Sequence, residues 1–274
     1  MSSPTRNAAT AAAARSLGRR APGVVGLVQA SRGDATEDLL EAGEHSRRPG
    51  LQCWGVGDEP EPSEFPLRLG AVNMPANVRG TYVGHPSLWP VWEAIAERGL
   101  VVFLYPHGVT DPWYLDYGLW NSVGQTVEEA RALSSMIYEG LLDHLPTLKI
   151  VVSHGGGYLP HYCGRLDRNV HNMPDSARNI TRRPSEYLRD LYYDTCVYDP
   201  EVLRALVGRV GADRLVLGSD YPMGDPDPVG FIERCPGLTP EQVTTIKSST
   251  GVRLLGLGTE GTERVSRCSG RQAS

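Results

Sequence analysis

From residue 66 onward, short unbroken apolar runs alternate with stretches whose apolar residues recur every three or four positions. The runs are residues 66–72, 100–105 (LVVFLY), 148–153 (LKIVVS) and 215–219 (LVLGS), with 191–194 (LYYD) a weaker member. Unbroken runs, rather than strict alternation, suit strands covered on both faces, as in parallel sheets. Between them, Val127, Ala130, Leu133, Ile137 and Leu141 keep a helical period that Pro146 stops, and Thr126 and Glu129 have capping-box spacing ahead of it. A helix is also predicted over 88–98, with Val91, Trp92 and Ile95 on one side and Gly99 after it. Asp199-Pro200 opens another, carrying Val202, Leu203, Leu206 and Val207, and Thr239, Pro240 and Gln242 open a further one with Val243 and Ile246. Strands alternating with helices predict βα units and a parallel sheet.

The ends of the chain read differently, giving three zones: 1–65, 66–257 and 258–274. The stretch to Gly33 carries Arg6, Arg15, Arg19, Arg20 and Arg32 without an acid, which suits either a disordered extension or an organellar transit peptide. Residues 34–65 mix Glu, Pro, Gly and Arg with little period, so the first zone is expected to be poorly ordered or unrelated to the rest, with a short helix over 37–40 at most. The polar tail, 258–274, is expected to be disordered.

Composition narrows the function classes. The 274 residues are 40% hydrophobic and 22% charged, enough for a core and not suggestive of wholesale disorder. A net charge of -5 argues against a broad nucleic-acid footprint, and no apolar run is long enough for a membrane span. Five scattered cysteines without a C-x-x-C pair point away from disulfide frameworks and zinc ribbons, toward a reducing cytosol. Trp89, Trp92, Trp113 and Trp120 lie in one short region, which suits a homodimer interface as well as a core.

In parallel βα folds, functional groups gather where strands end. The run at 100–105 ends in Tyr105-Pro106-His107, that at 148–153 in His154 and three glycines, and that at 215–219 in Ser219-Asp220-Tyr221-Pro222. Imidazole and carboxylate are what a catalytic zinc takes, or manganese with more oxygen. Each residue also has a plainer reading. A strand-end histidine is often a hydrogen-bonded loop residue, an aspartate before Tyr-Pro a turn residue, and a glycine triplet a tight turn or an anion-binding nest.

Residues 146–157 (PTLKIVVSHGGG), Gly164-Arg165, residues 192–195 (YYDT) and 213–222 (DRLVLGSDYP) together resemble the amidohydrolase-related, metal-dependent decarboxylases typified by aminocarboxymuconate-semialdehyde decarboxylase. The similarity runs from about Gly70 to Leu257, and the stretch from His85 to Glu93 fits it too. The resemblance implies a distorted (β/α)8 barrel of the TIM-barrel type holding one divalent metal, zinc or else manganese, here expected to lack its first strands. It maps the aspartate ligand to Asp220 and a histidine near the metal to His154. The family's His-x-His pair has no counterpart, and Tyr105 stands where a further histidine ligand belongs, leaving His107 as the replacement candidate. Metal binding is therefore expected to be weakened or lost.

The implied activity is nonoxidative decarboxylation of a small unsaturated or aromatic carboxylic acid, with His154 and Asp220 catalytic. Arg165 and Arg79 are candidates to pair with substrate carboxylates, or are ordinary surface arginines. A metal-dependent hydrolase or hydratase of the lactonase kind on the same fold, and a catalytically silent relative, are the alternatives.

Overall fold

The computed structural model describes residues 71–106, 109, 111–221 and 223–257, together with the two-residue strand β1 (Gly26–Leu27). The expectations for 1–65 beyond β1, for the tail 258–274, for His107 and for Pro222 lie outside the described residues. Two compact units emerge, one within Arg32–Tyr193 and one within Asp194–Ser274 together with Met1–Ser31.

The first unit follows the predicted βα order. Strand β2 (Ala71–Pro75) leads into a hairpin of β3 (Asn77–Val78) and β4 (Thr81–Tyr82), then α1 (Trp89–Glu97) and β5 (Val101–Tyr105). Helices α2 (Gln125–Tyr138) and α3 (Leu141–His144), strand β6 (Lys149–Val152), helix α4 (Leu159–Asn172) and strand β7 (Tyr192–Asp194) follow. β2 pairs with β5, β5 with β6 and β6 with β7, all parallel, so their C-terminal ends share one edge. One sheet face buries Val72, Met74, Val102, Leu104, Ile150, Val152 and Tyr193. Asn73, Phe103, Tyr105 and Tyr192 alternate onto the other face and stay half-buried.

The helices bury the residues their period predicts: Trp92 and Ile95 on α1, and Leu133, Met136 and Ile137 on α2. Trp92 is a core residue whose indole donates to the Val83 carbonyl at 2.7 Å, whereas Trp113 is 63% exposed. Two elements escape the sequence pattern. The hairpin turns on Arg79 and Gly80, both at positive φ, with the Gly80 amide donating to Asn77 Oδ1 at 3.0 Å. Helix α4 was not predicted, although Leu159, Cys163, Leu166 and Val170 keep a helical period along it; it fully buries only Leu159, Pro160 and Cys163.

The capping-box reading of Thr126 and Glu129 is corrected. The helix reaches back through a π-helical turn, Trp120–Gly124, so Thr126 lies inside it and its hydroxyl donates to the Val123 carbonyl at 2.8 Å. The same spacing at Thr239 and Gln242 does form a reciprocal cap, at 3.3 and 2.9 Å.

In the second unit, Asp199 caps α5 (Pro200–Val210), which buries Leu203, Leu206, Val207 and Val210. Strand β8 (Leu215–Gly218) is wholly buried and pairs in parallel with β1 through Gly26↔Leu217 and Leu27↔Gly218. Helices α6 (Pro228–Glu233), α7 (Pro240–Thr244) and α8 (Thr250–Leu254) complete it.

Candidate active site

At the C-terminal edge of the first unit's sheet, the ladder continues one residue past β6, where the Ser153 amide donates to the Leu104 carbonyl at 3.1 Å. The chain then enters the left-handed region: His154 at φ 48°, followed by Gly155, Gly156 and Gly157 at 60°, 79° and 61°. Left-handed backbone costs a non-glycine residue roughly 1–3 kcal/mol, and such strain clusters at functional sites. The amides of Gly156 and Gly157 donate to the Ser153 and His154 carbonyls at 2.9 and 3.0 Å, so this turn consumes two donors that an anion nest would have used. A Cβ at Gly157 would lie 2.2 Å from the Thr126 carbonyl oxygen, so only glycine lets the loop close on α2.

This closure brings α2 to the histidine. His154 Nδ1 and Ser153 Oγ both lie 2.5 Å from Glu129 Oε1, and Glu129 is fully buried. Tyr105, closing β5, sets its ring 5.4 Å from the His154 ring at a tilt of 56°, and its hydroxyl accepts from Gln125 Nε2 at 3.4 Å. The first unit thus assembles imidazole, carboxylate, hydroxyl and phenol at one edge, a set suited to holding and delivering a proton. Gln125 and Ser153 were not given a site role in the sequence, and Glu129 was read only as a capping-box partner of Thr126. The signal for a site role was its place as a carboxylate on the apolar side of a helix, one residue before Ala130.

In the second unit Asp220 also sits in the left-handed region, at φ 47°, and its carbonyl accepts from the amides of Met223 and Gly224 at 2.8 Å each. Its carboxylate accepts from the Tyr198 hydroxyl at 3.0 Å. Burial, then the neighbouring Cys196 and Asp220, push the Tyr198 phenol far above its ordinary range. Burial, reinforced by Asp194 and Asp220, raises the Cys196 thiol likewise. Asp194 is buried at the end of β7, with Oδ1 accepting from the Cys196 amide at 3.0 Å.

The candidate arginines lie elsewhere. Arg79 is exposed at the hairpin tip. Arg165 projects from α4 into a groove of about 520 Å³ that it shares with Ser134, Tyr138, Glu139 and Arg178.

The divalent metal that the resemblance implies has a poor fit here. Among the described residues no group of three His, Cys, Asp or Glu could hold an ion. Tyr105, which the resemblance aligns with a histidine ligand, has its hydroxyl hydrogen-bonded to Gln125. Asp220 remains the one ligand that the resemblance maps among the described residues.

Comparison with known proteins accords with the motif reading. The family model described as Amidohydrolase matches residues 1–257, a wider span than the motif-bearing stretch. A 2-amino-3-carboxymuconate-6-semialdehyde decarboxylase of Dictyostelium discoideum is 33% identical over 192 residues, 69% of this chain and 52% of that protein. A 6-methylsalicylic acid decarboxylase of Penicillium expansum is 30% identical over 150 residues, 54% of this chain and 46% of that protein. Among solved structures, the 5-carboxyvanillate decarboxylase LigW of Sphingomonas paucimobilis superposes with a TM-score of 0.65 at 27% identity, covering 70% of this chain and 60% of that one. The chain spans about half the length of the curated relatives it matches.

Proposed function

The chain belongs to the amidohydrolase family, whose TIM-barrel-type fold its parallel βα order shares, and we propose that it is a nonoxidative carboxy-lyase. Its substrate is a small unsaturated or aromatic carboxylic acid. One observation carries the reading: a buried histidine at the end of β6, held through Nδ1 so that its other nitrogen faces away from Glu129. The names of the three similar proteins described above support it, since those three are called decarboxylases of such acids.

The reaction consumes a proton and no electrons. Imidazolium His154 protonates the carbon bearing the carboxylate, which becomes tetrahedral. The bond to the carboxylate then breaks, its electron pair restores the π system, and carbon dioxide leaves. His154 regains its proton from water.

The family is metal-dependent. The metal in this proposal is zinc, with manganese as the alternative; Asp220 is its one candidate ligand among the described residues, and the other candidate, His107, lies outside them. Among the described residues no helix is long and apolar enough to cross a membrane. Free buried thiols at Cys163, Cys196 and Cys235 support a reducing cytosol as the compartment. Exposed Trp113, Leu115 and Tyr117 support a homodimer, which light scattering tests.

The deciding experiment measures carbon dioxide release from a panel of ring-cleavage acids and hydroxybenzoates, with zinc or manganese supplied. Release that disappears in His154→Ala is the expected result. Lactone hydrolysis without carbon dioxide would move the protein to the hydrolase reading.

A further inference from the structure

Glu129 entered the sequence reading only as a capping-box position, yet its carboxylate lies 2.5 Å from Nδ1 of the proton-bearing histidine. It is fully buried, and a buried carboxylate is costly unless hydrogen-bond donors or a counter-charge meet it. Here Ser153 Oγ and His154 Nδ1 converge on a single oxygen, Oε1, at 2.5 Å each. If the Glu129 carboxylate is ionised it can only accept, and the ring nitrogen facing it then carries the proton. The arrangement is held from two sides. On α2, Leu133, Met136 and Ile137 are wholly buried in the turns that follow Glu129, which fixes the helix. Across the gap, Gly157 leaves room that a Cβ would fill, at 3.1 Å from Glu129 Oε2 and 2.2 Å from the Thr126 carbonyl.

We propose that Glu129 is the positioning residue of the proton-transfer site, fixing His154 as the Nδ1–H tautomer and steadying its imidazolium, so that Nε2 exchanges the proton with substrate. Only the role of Nε2 rests on the decarboxylase reading; the tautomer does not. Glu129 touches no reacting atom and acts through His154. A glutamine keeps the shape and one acceptor but removes the charge, and an aspartate keeps the charge on a shorter arm.

The test is nitrogen-15 NMR of histidine-labelled full-length protein, with the His154 signals assigned by their loss in His154→Ala. The wild type is expected to show a protonated, strongly hydrogen-bonded Nδ1, and Glu129→Gln to weaken that bond or redistribute the tautomers. In carbon dioxide assays Glu129→Gln should lower kcat roughly 10²-fold or more with KM little changed. Glu129→Asp should recover part of the loss, and the distant Asp143→Asn should leave spectrum and kcat as in wild type. A wild-type His154 with its proton on Nε2 and a bare Nδ1 overturns the proposal, even if no variant folds. So does a Glu129→Gln protein that keeps both the signal and the rate. An intact Nδ1–H signal in a protein that decarboxylates no acid would instead sink the decarboxylase reading and leave the pair standing.

Discussion

Glu128 and Glu129 are neighbours on α2, and their carboxylates serve different parts of the fold. Glu128 accepts from the Tyr82 hydroxyl at 2.6 Å and Asn77 Nδ2 at 2.7 Å, which ties the β3–β4 hairpin to the helix. Glu129 accepts from Ser153 and His154 at the sheet edge. Successive helical residues point about 100° apart, so one turn of α2 braces two loops at once. Burial and the Glu128 carboxylate also raise the Tyr82 phenol above its ordinary range.

Removing the first of these braces should cost stability alone. Glu128→Ala leaves the Tyr82 hydroxyl and the Asn77 amide without their acceptor, a loss of about 1–3 kcal/mol. Urea unfolding should show the lowered midpoint. An unchanged midpoint would mean that the hairpin is held by its other contacts, such as the Gly84 amide donating to Ser135 Oγ at 3.0 Å.

The second prediction concerns acid. Burial alone would raise the Asp143 carboxyl, but hydrogen bonds from Tyr187 and Thr181 and the charge of Arg182 outweigh it and hold it below 3.8. A carboxyl lowered by folding contributes stability that is fully present above its unfolded pKa and is lost as pH falls through the folded one. The melting temperature should therefore drop more steeply below about pH 4 in wild type than in Asp143→Asn. Parallel curves for the two proteins would contradict this.

A third prediction follows from the raised thiol of Cys196. The thiolate is the reactive form, and burial with Asp194 and Asp220 nearby disfavours it. In the native protein at pH 8, iodoacetamide should modify Cys196 far more slowly than after unfolding, as read by peptide mass spectrometry. Equal rates would show that the site opens readily.

Core truncation supplies a fourth. Trp92 is fully buried and anchored to the Val83 carbonyl, so Trp92→Ala should cost about 3–5 kcal/mol, measured by chemical unfolding.

The parallel βα order was legible because buried strands need unbroken apolar runs, and 101–105 and 215–218 formed where those runs lie. Helix starts were legible only where a cap was used. Thr239 and Gln242 capped α7, but Thr126 and Glu129, with the same spacing, sat inside a helix whose start lay further back. Spacing records who is within reach, not whether the amide needs a partner. For the same reason His154 was visible as a strand-end residue, whereas its partner Glu129 was not: their contact spans 25 positions and depends on a loop closing onto α2. Helix α4 was legible too, since Leu159, Cys163, Leu166 and Val170 keep a helical period, but the polar residues between them masked it beside the apolar runs of the strands.

The clash awaiting any side chain at position 157 has a consequence for how this scaffold changes over generations. Because the Thr126 carbonyl sits 2.2 Å from where a Cβ would be, the imidazole's seat is welded to a helix rather than suspended on a pliant segment. Drift in the surrounding loops can then proceed while His154 stays in register with α2. A laboratory library built on this scaffold should accordingly spare 154–157 together with the first turns of α2, and place its diversity at exposed positions such as those of Pro112–Gly118.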